Sequence, residues 1–246
     1  MDSSLMNTEP IQGFLIIDKP LGLSSMKALA RVRVLARDTS QGGKSGHAGT
    51  LDPLATGVLV IGFGRPATRQ LARIMGASKR YLTTVDLSAF SPSDDLEHEP
   101  EPVEIEKIPD AETVQAAIEG FKGEIMQAPP TFSAIKVDGK RAYQLARKDK
   151  IKSLDARPVI VHDIHMVEYQ WPTVTIDVHC GKGFYVRSLA RDLGAALGTG
   201  GFCRSIHRTA VGPFGITDAT AFKDLPDSIQ QKDLVSIEDA LGMLED

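Results

Sequence analysis

Cross-linking capacity is nearly missing from this chain. Cys180 and Cys203 are its two cysteines among 246 residues, too few for a disulfide framework and suited to a reducing cytosol. Long apolar runs are missing as well: no stretch approaches the roughly 18 residues of a membrane span. Met1 to Pro10 is polar, carries Asp2 and Glu9, and lacks the basic flank and apolar segment of a signal or transit peptide, so a cytoplasmic protein is expected. No G-x-S-x-G elbow and no G-x-G-x-x-G fingerprint occurs, which argues against serine hydrolases and dinucleotide binders. GGKS at 42–45 is not a phosphate loop, because position 38, where that motif needs glycine, is Asp38. His162, His165, His179, Cys180, Cys203 and His207 contain no C-x-x-C pair. His162 and His165 sit at odd spacing in a predicted strand and point to opposite faces, so no metal site is expected.

What is present is an ordinary globular composition, 42% hydrophobic and 24% charged, at a length that permits one large domain or two small ones. The net charge of −4 hides a segregation. Segments 27–47, 65–80, 136–157 and 182–208 hold 23 of the 28 Lys and Arg but only 5 of the 32 Asp and Glu. If they share a face, the protein presents a cationic surface on an acidic body, as polyanion binding requires. Charge alone leaves open whether they scatter over different faces.

Periodicity predicts a mixed α+β fold with a mainly antiparallel sheet, since strands come in hairpins and runs between helices. Gly13 to Pro20 reads as a strand. Ser24 or Ser25 caps a helix to about Arg37, with Lys27, Arg31 and Arg33 as its basic face. Residues 38–50 read as a Gly/Ser-rich loop, Val58 to Phe63 as a buried strand, and Pro66 as first-turn residue of a helix to Met75. Lys79 to Leu87 reads as a strand, 90–110 as an exposed acidic loop, and Ala111 to Glu119 as a helix. A hairpin turning at Asp138-Gly139 and a basic helix over Tyr143 to Lys148 follow. Val159 to Tyr169 pairs with Thr173 to Cys180, Tyr185 to Leu197 is a helix, and Cys203 to Val211 a strand. The boundaries expected are a flexible 1–12, a body over 13–222, and an acidic, helical tail over 223–246.

One segment stands out, GHAGTLDPLATGVLVI at 46–61. Asp52 is flanked by Gly49, Pro53 and Gly57 just before an apolar strand. Glycines admit close approach of a ligand, and Pro53 stiffens the turn that presents the carboxylate. An Asp before Pro is also an ordinary turn residue, so the segment alone leaves both readings open.

GHAGTLDPLATGVLVI resembles the catalytic motif of the TruB family of tRNA pseudouridine synthases. GFLIIDKPLGLSS at 13–25 is similar to the family's opening motif, KRY at 79–81 to its tyrosine-bearing strand, and PPTFSAIKVDGKRAYQLAR at 129–147 to its middle motif. VHCGKGFYVRSLARDLG at 178–194 and HRTAVGPF at 207–214 resemble its late motifs, in the same order. The resemblance implies a pseudouridine synthase fold with a catalytic cleft across the sheet. The implied activity is isomerisation of uridine 55 in the T-loop of tRNA, without cofactor or metal. It implies that Asp52 is the essential aspartate, Tyr81 the tyrosine that stacks on the base, and Arg187 the arginine paired with the aspartate. Tyr185 would line the same pocket, His47 would meet the RNA beside the extruded nucleotide, and Lys19 and Arg208 would serve the substrate side. The expected partner is tRNA, with no obligate protein partner, no membrane, and a monomer as default.

Two departures stand beside the resemblance. Family members commonly continue into an RNA-binding PUA domain, which is expected to be absent or truncated here, and the Thr-Asp-rich turn after the tyrosine strand is reduced to Ser93-Asp94-Asp95. The competing readings are an RNA-binding module without turnover, and a synthase of the same fold serving messenger or guide-directed RNA.

Overall fold

The computed structural model describes residues 10–36, 43–133, 136–137, 140–142, 151 and 153–244. In chain order the elements are β1 (Gly13–Lys19), α1 (Ser25–Leu35), β2 (Ser45–Ala48), β3 (Ala55–Phe63), α2 (Gly64–Gly76), β4 (Lys79–Asp86), β5 (Ala89–Phe90) and β6 (Glu101–Pro102). There follow α3 (Ala111–Glu119), β7 (Gly123–Gln127), β8 (Lys136–Val137), β9 (Lys140–Arg141), β10 (Arg157–Gln170) and β11 (Thr173–Cys180). The chain closes with α4 (Val186–Leu197), β12 (Phe202–Val211), β13 (Phe214–Gly215), β14 (Thr220–Ala221) and α5 (Ile237–Gly242). They form two units, one from the stretches before Ser78 and from Arg208 onward, the other from Ser78–His207.

In the first unit β1 lies between β14, parallel, and β3, antiparallel, and β2 pairs antiparallel with the Val60–Phe63 end of β3. The apolar run of β3 is unbroken because both faces are covered: Val58 to Phe63 are all buried. Phe14, Ile16, Val58, Val60, Ile74, Val211 and Phe214 share one cluster with Ala67, and each of these larger side chains, when fully buried, stabilises by roughly 1.5–3 kcal/mol. Ser24 caps α1 by accepting from the Lys27 amide, which satisfies one of the helix's otherwise unpaired first-turn donors. Lys27, Arg31 and Arg33 are exposed. On α2, Arg65, Arg69 and Arg73 are also exposed, and their four-residue spacing places them in one row on the helix.

The last part of the chain is built into this unit. Val235 exchanges backbone hydrogen bonds with Phe14 at 2.8 and 2.9 Å, and the Gln231 side chain bonds both polar atoms of the Gln12 backbone. Gly13, at φ +146, allows this, because a Cβ there would lie 2.5 Å from the Val235 carbonyl oxygen.

The second unit is an antiparallel sheet in the order β4, β11, β10, β7. Alternation on β11 buries Val174, Ile176, Val178 and Cys180, the period-two pattern of a strand covered on one face. Helix α4 is buried over Val186 to Ala190 and again at Leu193 and Gly194. Gly194 permits this fit, since a Cβ would overlap the Gly200 backbone, and Gly198, at φ +67, ends the helix in the left-handed conformation. No helix among the described residues is long and apolar enough to cross a membrane.

Three expectations need correction. Residues 45–48, read as loop, form β2, because the apolar end of β3 offers a ladder and Gly46 is small enough to sit against Leu71. The acidic stretch 90–110 is not uniformly exposed: Ser91, Ser93 and Asp95 are buried, and β5 pairs with β6. The tail is only partly helical, with short 3-10 turns at Phe222–Asp224 and Gln231–Asp233 before α5. Strand β7 was not anticipated. The 138–139 turn, the 143–148 helix and residues 38–42 of the predicted loop lie outside the described residues, although β8 and β9, which flank the turn, do pair.

Candidate active site

Asp52 sits in the first unit, in the connection between β2 and β3, with its side chain half-buried. Neighbouring backbone is fixed on several sides. The Ser25 hydroxyl donates to the Leu51 carbonyl at 2.9 Å and accepts from the Leu51 amide at 2.8 Å. The Asp52 carbonyl accepts from Ala55 at 3.0 Å, and the Pro53 carbonyl from Gly22 at 2.7 Å. Residues of the opening motif therefore hold the loop that bears the carboxylate. Ser25 is a site-building residue that the sequence does not reveal, since the Ser-Ser pair at 24–25 reads there only as a helix cap.

Lys19, His47 and Arg208 lie in the same unit. Lys19 is fully buried at 0% exposure, and its Nζ donates to the carbonyls of Pro20 at 2.8 Å and Leu23 at 2.6 Å. Burial lowers its pKa to about 8; the Asp52 charge opposes that shift and the Arg208 charge adds to it. Burial, with Arg208 again assisting, also lowers the pKa of His47, which favours a neutral imidazole at pH 7. Its Nδ1 is buried without a hydrogen-bond partner. Arg208, expected on the substrate side, is 1% exposed, with its guanidinium bonded to the backbone carbonyls of Val58 and Gly49.

The second unit carries Tyr81, Tyr185 and Arg187. Tyr81 lies on β4 opposite Val178 of β11 and is half-buried. Tyr185 precedes α4; its amide donates to the Gln127 side chain at 2.8 Å, which donates back to the Tyr185 carbonyl at 3.2 Å. Arg187 is 6% exposed and donates to the carbonyls of Ser93 at 3.0 Å and Phe132 at 2.9 Å. Within this unit its guanidinium faces the carboxylate of Asp95 at 3.4 Å. Asp95 is 3% exposed, and its Oδ1 accepts from the Ser93 hydroxyl at 2.6 Å and the Glu97 amide at 2.9 Å. The sequence had shown Asp95 only as a remnant of a turn. Asp94 beside it has φ +60 and pairs with Arg191 at 3.2 Å. Burial raises its pKa to about 6 against the pull of Arg191.

The structure thus gathers Lys19, His47, Asp52 and Arg208 in one unit, and Tyr81, Tyr185 and Arg187 in the other. Chemically, the first supplies a carboxylate near a cation and a neutral histidine. The second supplies an aromatic ring and a guanidinium held by fixed acceptors.

Comparison with known proteins bears on what such groups do. Residues 37–186 match the model of the TruB family pseudouridylate synthase N-terminal domain, and residues 187–242 match the tRNA pseudouridylate synthase B C-terminal domain. The chain is 41% identical over 240 residues to tRNA pseudouridine synthase B of Corynebacterium efficiens, covering 95% of this chain and 78% of that protein. It is 44% identical over 218 residues to the protein of the same name from Dinoroseobacter shibae, covering 88% and 70%. Among solved structures, a Cbf5-Nop10-Gar1 complex matches with a TM-score of 0.71 at 26% identity, covering 94% of this chain and 62% of that one.

Proposed function

The chain belongs to the TruB family of pseudouridylate synthases, and on that premise we propose that it isomerises uridine 55 in the T-loop of tRNA to pseudouridine. The reading is supported above all by Asp52, a half-buried carboxylate on a loop pinned by Ser25 and Gly22 and felt by the buried Lys19. Its relatives at 41–44% identity carry the tRNA name, whereas the likeness to the Cbf5 complex is 26%, so tRNA is favoured over a guide-directed target.

The reaction breaks the C1′–N1 bond of uridine, turns the detached uracil, and joins C1′ to C5. The C5 hydrogen leaves as a proton and N1 gains one, so atoms and electrons balance without an external reactant. Asp52 acts on the sugar or base to release uracil. Tyr81 stacks on the extruded base and takes the C5 proton, Tyr185 lines the pocket, and Arg187 stabilises the negative charge. His47 contacts RNA beside the nucleotide. Extruding the nucleotide costs roughly a few kcal/mol, and an aromatic stacking platform offsets about 1–3 kcal/mol of that.

Phosphate contacts supply the rest of the affinity. Arg65, Arg69 and Arg73 on α2, a helix with no acid, and Lys27, Arg31 and Arg33 on α1 offer exposed cations. The test is pseudouridine formation on a T-loop transcript. Asp52→Asn should abolish it while leaving RNA binding intact, and near-normal turnover by that variant removes Asp52 from the mechanism.

A further inference from the structure

Arg208 heads the described residues as the bulkiest side chain that is fully buried. Its Nε donates to the Val58 carbonyl at 2.8 Å and its Nη2 to the Gly49 carbonyl at 3.1 Å. Gly49 and Val58 bracket Asp52 in the chain, so one planar guanidinium spans the neck of the loop. The neighbouring glycines leave room for it. Gly49 has φ +79 and a Cβ there would stand 3.3 Å from Arg208 Nη1, while at Gly57, φ +100, a Cβ would overlap the Arg208 backbone. A lysine ammonium is a point donor and cannot reproduce a two-armed span. The same cation acts on both Lys19 and His47. At 1% exposure the side chain has almost no surface to offer a phosphate.

We propose that Arg208 is a positioning residue for the isomerisation, a buried clip that closes the neck of residues 49–58 and so fixes the Asp52 carboxylate. It rests on Asp52 being the reacting carboxylate.

The experiment measures the single-turnover rate at saturating tRNA, the tRNA Kd across a salt series, and thermal unfolding for full-chain Arg208→Lys, Arg208→Ala and Gly49→Ala. The clip predicts rates at least about tenfold lower in folded Arg208→Lys and Arg208→Ala, with Kd within about twofold of the parent and an unchanged salt slope. It also predicts a slower Gly49→Ala, and partial recovery of Arg208→Ala by added ethylguanidinium at non-denaturing concentration. Unchanged rates in the folded variants overturn it. So does a loss seen as weaker binding with a shallower salt slope, which marks a phosphate contact, or a loss wholly explained by the unfolded fraction. Should Arg208→Ala not fold, Arg208→Lys and Gly49→Ala decide. Asp52→Asn runs beside them: turnover by that variant removes the premise, whereas an inactive Asp52→Asn with a fully active Arg208→Lys removes the clip alone.

Discussion

Removing the carboxylate of Asp95 should cost far more than removing a surface charge. Both members of the Arg187–Asp95 pair are nearly inaccessible, at 6% and 3% exposure. The Arg187 bonds to Ser93 and Phe132 go to neutral carbonyls, so Asp95→Ala removes a carboxylate that faces a nearly inaccessible guanidinium at 3.4 Å. Breaking such a pair from one side costs about 3–5 kcal/mol, compared with about 0–1 kcal/mol for an exposed pair. In a chain of this length that lowers Tm by roughly 6–20 °C. Asp95→Asn should fall between, because an amide oxygen can still accept from Ser93 and Glu97 but carries no charge. The assay is thermal and urea unfolding of the parent, Asp95→Ala, Asp95→Asn, Arg187→Met and the Asp95→Ala/Arg187→Met double variant. The double should be less damaged than the sum of the singles, since each single already forfeits the same pair interaction. An Asp95→Ala cost below about 1 kcal/mol, or strictly additive singles, refutes the argument that this pair is a buried, mutually dependent one.

Other outcomes follow from the same structure. Gly57→Ala should destabilise by about 3 kcal/mol or more in urea unfolding, since it combines strain at positive φ with overlap against the Arg208 backbone. Asp94, with its folded pKa raised to about 6 by burial, binds its proton more tightly folded than unfolded. Its contribution to stability therefore falls as pH rises from about 4 to 6. Asp94→Asn should flatten that part of a Tm-versus-pH curve. Arg69→Glu on the exposed row of α2 should weaken tRNA binding and make the logarithmic salt slope shallower, as read by filter binding; an unchanged Kd discounts that helix as a phosphate contact.

Much of the architecture was legible because single-strand and single-helix signals are local. The caps, Pro66, and the alternation on β11 each fix one element, and Ala111–Glu119 falls where its periodicity places it. What escaped depends on partners distant in the chain. Ser45–Ala48 is a strand only because β3 presents a ladder to it, and its own Gly/Ser composition argues loop. The acidic 90–110 stretch reads as solvent-facing until Arg187, more than ninety residues on, draws Asp95 inward. The site shows the same division. Asp52 and its glycines are visible as a motif, whereas the arrangement around them is not. A basic residue in a late motif suggests RNA contact, and nothing in its immediate neighbours signals that Arg208 turns to the carbonyls on either side of Asp52.

The discontinuity of the first unit sets an order of assembly. Ser78–His207 is an uninterrupted stretch and can close on itself as it leaves the ribosome, in keeping with domain-wise folding during synthesis. Residues 49–58 emerge much earlier, yet their guanidinium strap and the partner of Gly13 arrive only with Arg208 and Val235. A nascent chain halted at His207 would therefore carry the aspartate on a loop held by Ser25 and Gly22 but still open at its neck.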